Sequence, residues 1–292
     1  MYMKAIRATL ALIVGLGITA VFAVIMLVGS SVFLLPNLVT FGLIKNPFAF
    51  TPWLWNETMY FVCYRGILGV RVEVHGTVPE RQKIFSIILS NHAITFAMPL
   101  GFWIGTRFIH RRPVVFQKAE NLWNPVIGIP MWIGRMSIFF DRDDREMAVR
   151  SISRGLRRIA GRYSAVTINP DGTRPTTKKI LTSRLASRTR TDNCAWMRHT
   201  SLWNAGGTLT TVRALRELCI ASRVIAYAHG FGRPVRTIRD MVGQTYHVTF
   251  RIVENFPLHE RDAQNETRTL CRWANTEMTA WQHFQIVDDR SA

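Results

Sequence analysis

The sequence is poor in acidic residues and has no closely spaced cysteines. It contains 19 Asp and Glu against 37 Lys and Arg, which gives a formal net charge of +18 at pH 7. This basic excess predicts a polyanionic partner, such as nucleic acid, anionic lipid or a phosphorylated substrate. The four cysteines are scattered without a C-x-x-C spacing, which argues against a disulfide framework and favours reduced thiols in a cytosol-facing protein.

Several common catalytic and binding motifs are also missing. There is no H-E-x-x-H, no Cys/His cluster, no G-x-x-x-x-G-K-[ST] loop and no G-x-S-x-G elbow. The eight histidines are isolated along the chain, so the sequence predicts no metal site. Apolar residues make up 48% of the chain, which excludes global disorder.

Charge is absent from one long N-terminal stretch, Ala8 to Ile44. Its first part, Ala8 to Val28, can span a bilayer, which takes about 20 apolar residues. The second part, Val32 to Ile44, is broken by Pro36-Asn37 and is too short for another full span. One complete span and a shallow or re-entrant hairpin are both open, and the basic excess of the following domain favours the hairpin, with that domain in the cytoplasm.

The rest of the chain alternates strand patterns with helix patterns. Seven short apolar or alternating runs predict strands, at 69–79, 83–89, 113–118, within 133–146, within 163–175, from Ser222 and at 246–258. Helices are predicted at 98–106, around Val149 to Ile159 and from Ala263 onward. The predicted fold class is α/β, with a mixed central sheet flanked by helices. We predict a membrane-anchoring segment over residues 1–65, formed by a span or hairpin plus an interfacial helix, and one α/β domain over residues 66–292.

Three polar stretches follow apolar runs in an order that is known from one family. They are "NHAITFAMP" from Asn91, "SIFFDRD" from Ser137 and "INPDGTRP" from Ile168. They resemble the first three sequence blocks of the glycerolipid acyltransferases, which read N-H-x-x-x-x-D, a hydrophobic segment ending I-D-R, and F-P-E-G-T-R. "VIAYAHGFGRPVRTIRDMVGQ", from Val224, resembles the fourth block of a bacterial branch. The similarity extends over most of the chain after residue 70.

This resemblance implies a membrane-bound 1-acyl-sn-glycerol-3-phosphate acyltransferase of phospholipid synthesis. The donor would be an acyl-CoA or acyl-carrier-protein thioester, the acceptor a lysophospholipid, and no further cofactor or metal is expected. The resemblance assigns the general base to His92. It assigns substrate binding to Arg142, Asp171, Gly172, Thr173 and Arg174. The expected location is the bacterial inner membrane, with the catalytic domain facing the cytoplasm and with no nucleic-acid partner.

The sequence departs from the family pattern in the first and third blocks. The aspartate that orients the catalytic imidazole in the family falls on Ala97, and the glutamate of the third block falls on Asp171. Asn169 stands where the family has phenylalanine. Because loss of the analogous aspartate in serine proteases lowers kcat by about 10⁴-fold, impaired activity is the expectation. Asp143, Asp144 and Asp171 are the sequence candidates for approaching His92 in its place. The alternative is a catalytically disabled relative that binds lysophospholipid or anionic membrane.

Overall fold

The residues that are described form an α/β fold around one seven-stranded sheet. The computed structural model describes residues 2–39, 50–80, 82, 84–91, 97–110, 113–124, 128–133, 136–141, 144–159, 165–170, 178, 181–182, 199, 203–233 and 235–281. The helices are α1 Tyr2–Val39, α2 Thr51–Thr58, α3 Met98–Ile104, α4 Gly128–Ile133, α5 Arg145–Ile159, α6 Gly206–Glu217 and α7 Glu260–Trp281. π-Helical segments extend α2 through Met59–Ile67 and α3 through Gly105–Ile109.

All seven predicted strands are present. They are β1 Arg71–His75, β2 Phe85–Ser90, β3 Val114–Lys118, β4 Ser137–Phe140, β5 Ala165–Ile168, β6 Ser222–Phe231 and β7 Thr245–Val253. The predicted helices at 98–106, around 149–159 and in the C-terminal region are confirmed by α3, α5 and α7. The short-range apolar patterns therefore predict the type of each of these elements correctly.

The sheet is mixed, and its strands run in the order β1-β7-β6-β2-β5-β3-β4. The strands from β6 to β4 are mutually parallel, whereas β7 is antiparallel to β6 and β1 is parallel to β7. Every residue of β2 and β5 is buried, as expected for central strands that are covered on both faces. The carboxyl ends of the five parallel strands consequently lie along one edge.

Two apolar clusters cover the two faces of the sheet. On one face, β2 contributes Phe85, Ile87 and Leu89 to a cluster with buried residues of α5, α6 and α7. On the other face, Ile88 of β2 joins a cluster with buried residues of α1, α3 and the Met59–Ile67 segment. This alternation is the two-residue period of a strand, and it produces three layers.

The N-terminal hairpin forms with a different second limb from the predicted one. The break predicted at Pro36-Asn37 is wrong, because α1 continues to Val39. Pro36 removes one backbone donor, but it stands only three residues from the end of the helix, where little helix remains to be disrupted. The limb that returns along α1 is instead Thr51–Ile67.

Three contacts define the antiparallel packing of this hairpin. Arg7 Nε donates to Ile67 O at 2.6 Å, and Trp55 Nε1 donates to Thr19 Oγ1 at 3.3 Å. Between them, Gly15 lies so close to Met59 that a Cβ at Gly15 would be 3.3 Å from Met59 Cε. The glycine therefore allows the two helical limbs to approach closely.

The opposite side of α1 remains uncovered and apolar. Its span Tyr2–Gly29 is long and apolar enough to cross a membrane, and only 17% of its most apolar window is buried. Ile13, Leu16 and Val24 are each about 60% exposed on this side, at 63%, 63% and 59%. An apolar surface of this extent on a helix is typical of contact with lipid or with another apolar partner.

Candidate active site at the sheet edge

Three strands end at the same edge of the sheet and lead into the three motif stretches. β2 ends at Ser90, β5 at Ile168 and β4 at Phe140. β2 and β5 are neighbours, with Leu89 paired with Ile168, and β4 lies beyond β3 on the same side. In open α/β sheets, this carboxyl edge is where binding and catalytic residues are placed.

The six residues that the sequence assigns to the site all lie outside the described residues. They are His92, Arg142, Asp171, Gly172, Thr173 and Arg174. Their roles stay predictions. What the structure does describe is the foundation from which the motif stretches begin, including Asn91, Asp141 and Asn169.

Asn91, which directly precedes His92, is fixed by three hydrogen bonds to one residue of β6. Its Nδ2 donates to the carbonyl of His229 at 3.0 Å, and its Oδ1 accepts from the His229 backbone N–H at 3.1 Å. Its own carbonyl accepts from Nε2 of the His229 ring at 2.8 Å. Asn91 and His229 are 2% and 3% exposed. The backbone that leads into His92 is therefore held in one position.

The His229 ring is itself oriented by a buried tyrosine. Because the Asn91 carbonyl can only accept, His229 Nε2 carries the proton, and Nδ1 is then an acceptor. The hydroxyl of Tyr246 donates to this Nδ1. Burial raises the pKa of Tyr246 well above its usual value, so the hydroxyl keeps the proton that it donates.

A second hydrogen-bonded chain joins the first and third motif stretches. Asn169 Nδ2 donates to the carbonyl and to Oγ of Ser90, at 3.1 and 3.0 Å. The Ser90 hydroxyl bonds in turn to Tyr227, whose hydroxyl donates to the carbonyl of Gly101 at 3.0 Å. Burial raises the pKa of Tyr227 to about 12, so it remains a donor at neutral pH.

These linked hydrogen bonds give a physical reason for Asn169, where the family has phenylalanine. The amide ties the end of β5 to the end of β2, and Tyr227 of β6 continues the connection to α3. The stretch between Asn91 and α3 is thus bounded by described residues that are tied to the sheet on both sides. A phenylalanine at position 169 would have no donor for Ser90.

Position 97, where the family has its aspartate, lies in an apolar environment. Ala97 is 1% exposed and belongs to the apolar cluster under α3. Asp144, a sequence candidate for approaching His92, instead caps α5, because its Oδ1 accepts from the Met147 N–H at 2.9 Å. The other two candidates, Asp143 and Asp171, lie outside the described residues.

Sequence reasoning did not identify His229, Tyr227 and Tyr246 as supports of the site. The hydrogen bonds between Asn91 and His229 join residues 138 positions apart, and no local pattern encodes such a pairing. The available signal was the string "AYAHG" from Ala226, in which Tyr and His alternate at the end of an apolar strand. Polar side chains at a strand end in an α/β sheet indicate a site.

Replacing His229 by alanine is expected to lower the free energy of unfolding by at least about 2 kcal/mol. The change leaves the Tyr246 hydroxyl and the Asn91 carbonyl buried without their partner, at about 1–3 kcal/mol each. Denaturant unfolding of the purified protein in detergent measures the effect. His259→Ala is the matched control, because the His259 side chain is 77% exposed, and a change within about 0.5 kcal/mol is expected there. Equal losses in both variants would contradict the assigned network.

Comparison with known proteins finds one family whose model matches part of this chain. The family model named Acyltransferase matches residues 71–197. The curated 1-acyl-sn-glycerol-3-phosphate acyltransferase of Haemophilus influenzae is 29% identical over 117 residues, covering 39% of this chain and 46% of that protein. The match thus spans somewhat less than half the length of that relative.

A solved structure has the same fold over nearly the whole chain. The 1-acyl-sn-glycerophosphate (LPA) acyltransferase from Thermotoga maritima superposes with a TM-score of 0.50 at 14% sequence identity. The superposition covers 92% of this chain and 98% of that one. At this identity the likeness is one of fold, and it agrees with the mixed sheet flanked by helices that the sequence predicts.

Proposed function

We propose that this chain, which matches the Acyltransferase family model over residues 71–197, transfers a fatty acyl group from an acyl thioester to a lysophosphatidate-type acceptor. One observation carries the proposal: three motif stretches, in the family's order, continue past the ends of β2, β4 and β5 at one edge of the sheet. The family match over residues 71–197 includes all three. The buried bonds of Asn91 and the partly buried bonds of Asn169 further support a site that needs fixed positions.

In the proposed reaction, His92 acts as the general base. It takes the proton of the acceptor hydroxyl while that oxygen attacks the carbonyl carbon of the thioester. The carbon–sulfur bond then breaks, and the leaving thiolate takes the proton back from the imidazolium. The products are a diacylated glycerol phosphate and the free thiol of CoA or acyl-carrier protein.

The acceptor's phosphate is assigned to the second and third motif stretches. The guanidinium groups of Arg142 and Arg174 offer paired N–H donors that match phosphate oxygens. Gly172 lacks a side chain, so backbone donors near Asp171 and Thr173 can approach the phosphate closely. The negative substrate also suits a chain with a formal charge of +18.

A second candidate function is favoured by one observation, the buried Ala97. No carboxylate stands at that position to orient the imidazole of His92, and Ala97 is surrounded by an apolar cluster. A protein that lacks this carboxylate could still bind lysophospholipid while transferring acyl groups very slowly. Acceptor binding without acyl transfer would distinguish this function from the enzymatic one.

The direct test is an acyl-transfer assay with the full-length protein in detergent micelles. Lysophosphatidate is supplied as acceptor, with acyl-CoA in one arm and acyl-carrier protein in the other. The expected result is formation of phosphatidate and release of free thiol in at least one arm. Binding of lysophosphatidate with no product in either arm would favour the second candidate and overturn the first.

We also assign the chain to the bacterial inner membrane, with the α/β domain on the cytoplasmic side. The uncovered apolar side of α1 supports insertion, and the antiparallel limb Thr51–Ile67 supports return of the chain to the side from which it came. Trp123 and Trp132, 77% and 52% exposed, lie on or beside α4, and Met26 of α1 clusters with Met136 just after that helix. Exposed tryptophans next to an apolar helix suit the membrane interface.

This orientation predicts from which side Cys219 reacts. Cys219 is exposed, whereas Cys63 and Cys271 are buried, and Cys194→Ser removes the fourth thiol. A membrane-impermeant maleimide is expected to label Cys219 in inverted vesicles but not in intact spheroplasts. Cys219→Ser serves as the unlabelled control. Labelling in intact spheroplasts would place the domain on the opposite side.

A further inference from the structure

Two histidines and a glutamate that are distant in sequence converge at the outer strand pair of the sheet. Glu73 of β1 is paired in register with His247 of β7, and His75 follows two residues later on the same face. His75 Nε2 lies 2.9 Å from His247 Nδ1, and Glu73 Oε2 lies 3.4 Å from the same Nδ1. One donor atom from each residue lies within 4.8 Å of the other two.

When both imidazoles are neutral, these three donor atoms have one proton among them. With both imidazoles neutral, a proton on His75 Nε2 would point at His247 Nδ1 and leave the Glu73 carboxylate facing a nitrogen lone pair. A proton on His247 Nδ1 would instead be shared between His75 and Glu73. In either case, three electron-pair donors surround a space that holds a single proton. A cation in that space is attracted by all three.

We propose that Glu73, His75 and His247 bind a divalent transition metal, with Zn²⁺ as the preferred ion. Two imidazole nitrogens and a carboxylate oxygen are ligands that Zn²⁺ takes at about 2.0–2.2 Å. Tetrahedral ligands at that distance are about 3.3 Å apart, which is close to the 2.9 and 3.4 Å measured here. The Glu73 side chain is 60% exposed, so it can turn toward the ion, and water can reach the fourth position.

The two imidazoles are held in place by the end of α7. Trp281 stacks on His75 and on His247, with ring centroids 5.7 and 5.8 Å apart and interplanar angles of 21°. Gly232 provides the space for the His247 ring, because a Cβ there would lie 3.0 Å from Nε2.

No sequence pattern predicts this cluster, because His75 and His247 stand 172 residues apart and no metal motif contains them. Among the described residues, this cluster is the one group of three His, Cys, Asp or Glu side chains whose ligand atoms lie close enough together to hold a metal ion. It lies on the face of the sheet that α7 covers, opposite the face of the His229 network. The proposal is therefore independent of the acyl-transfer proposal. Bound metal would join the edge strand β1 to β7.

Equilibrium dialysis of the tag-free, full-length protein against buffered Zn²⁺ tests the site. We expect about one Zn²⁺ per chain, and at least about 10-fold weaker binding in His75→Gln and in His247→Gln. His259→Gln is the matched control with wild-type binding expected, because that histidine is exposed and does not belong to the cluster. With Co²⁺ as the probe, the visible absorption of a tetrahedral nitrogen and oxygen site is expected in the wild type and lost in His247→Gln.

Zn²⁺ is also expected to raise the melting temperature of the wild type and of His259→Gln, and a chelator should reverse the increase. This measurement needs no variant at the site, so it remains decisive if His75→Gln or His247→Gln does not fold. A wild-type protein that retains no Zn²⁺ and shows no Co²⁺ absorption would overturn the proposal. Equal Zn²⁺ binding by the wild type and both cluster variants would overturn it as well.

Discussion

Replacing His92 by alanine is expected to reduce the rate of acyl transfer by about 10²-fold or more. General base catalysis by a positioned side chain contributes about 10²- to 10⁴-fold, and alanine cannot take the acceptor's proton. The lower end of this range is expected here, because Ala97 provides no carboxylate to orient the imidazole. Initial rates with saturating lysophosphatidate and thioester measure the effect on kcat.

The position of His92 makes this variant a clean test of chemistry. Asn91, one residue earlier, is held by its own bonds to His229, and these bonds do not involve the side chain at position 92. Lysophosphatidate affinity is therefore expected to stay near the wild-type value while kcat falls. His259→Ala changes an exposed histidine that lies outside the motif stretches, and it should retain the full rate. Equal rates for wild type and His92→Ala would exclude the enzymatic proposal.

Much of the fold was predictable because each strand carries its own signal. The run Phe85–Ser90 is apolar at consecutive positions and all six residues are buried, whereas Arg71–His75 alternates and lies at the sheet's edge. Strand order has no such local signal. β1 pairs with β7, which comes from the other end of the domain, and β7 is antiparallel to its other neighbour β6. These pairings depend on long-range contacts that a pattern of apolar residues does not encode.

The hairpin illustrates the same limit. The charge-free stretch correctly predicted a long apolar helix, but apolar character alone did not indicate which later segment returns along it. The returning limb, Thr51–Ile67, contains polar residues such as Asn56 and Glu57, which are buried. Its partners Arg7, Gly15 and Thr19 are recognisable only once the two helices are side by side.

The sequence predicts which residues belong to the candidate site, but not the hydrogen bonds that hold the site's backbone in place. The motif stretches are contiguous in sequence, so their resemblance to the family is readable directly. Asn91–His229 and Ser90–Asn169 instead join separate strands, and the reason for asparagine at position 169 emerges only from its donation to Ser90. His75 and His247 give the clearest case, because they are isolated in sequence and adjacent in space.

Replacing Ala97 by aspartate is expected to raise the rate of acyl transfer by about 10-fold or more, toward the roughly 10⁴-fold that such a carboxylate supplies in serine proteases. An aspartate at this position matches the spacing of the family's first block, in which the carboxylate orients the imidazole. The imidazolium that forms during attack would also gain a negative partner. The measurement is kcat under the conditions used for His92→Ala.

Two further variants separate orientation by a carboxylate from other effects. Ala97→Asn has nearly the same shape as Ala97→Asp but no charge, and no increase in rate is expected from it. Ala97→Asp combined with His92→Ala should be as slow as His92→Ala alone, because the carboxylate acts only through the imidazole. An increase that persists without His92 would mean that the aspartate works by some other route.

The burial of Ala97 adds a stability measurement to the same experiment. Position 97 is 1% exposed within an apolar cluster, so a polar side chain without a partner there costs about 1–3 kcal/mol, and an unpaired carboxylate costs more. If the aspartate pairs with His92, Ala97→Asp should be less destabilised than Ala97→Asn, although it carries the charge. If Ala97→Asp is the less stable variant and its rate is unchanged, the carboxylate has not reached the imidazole. The missing aspartate would then not explain a low activity, and the cause would have to lie in the second or third motif stretch.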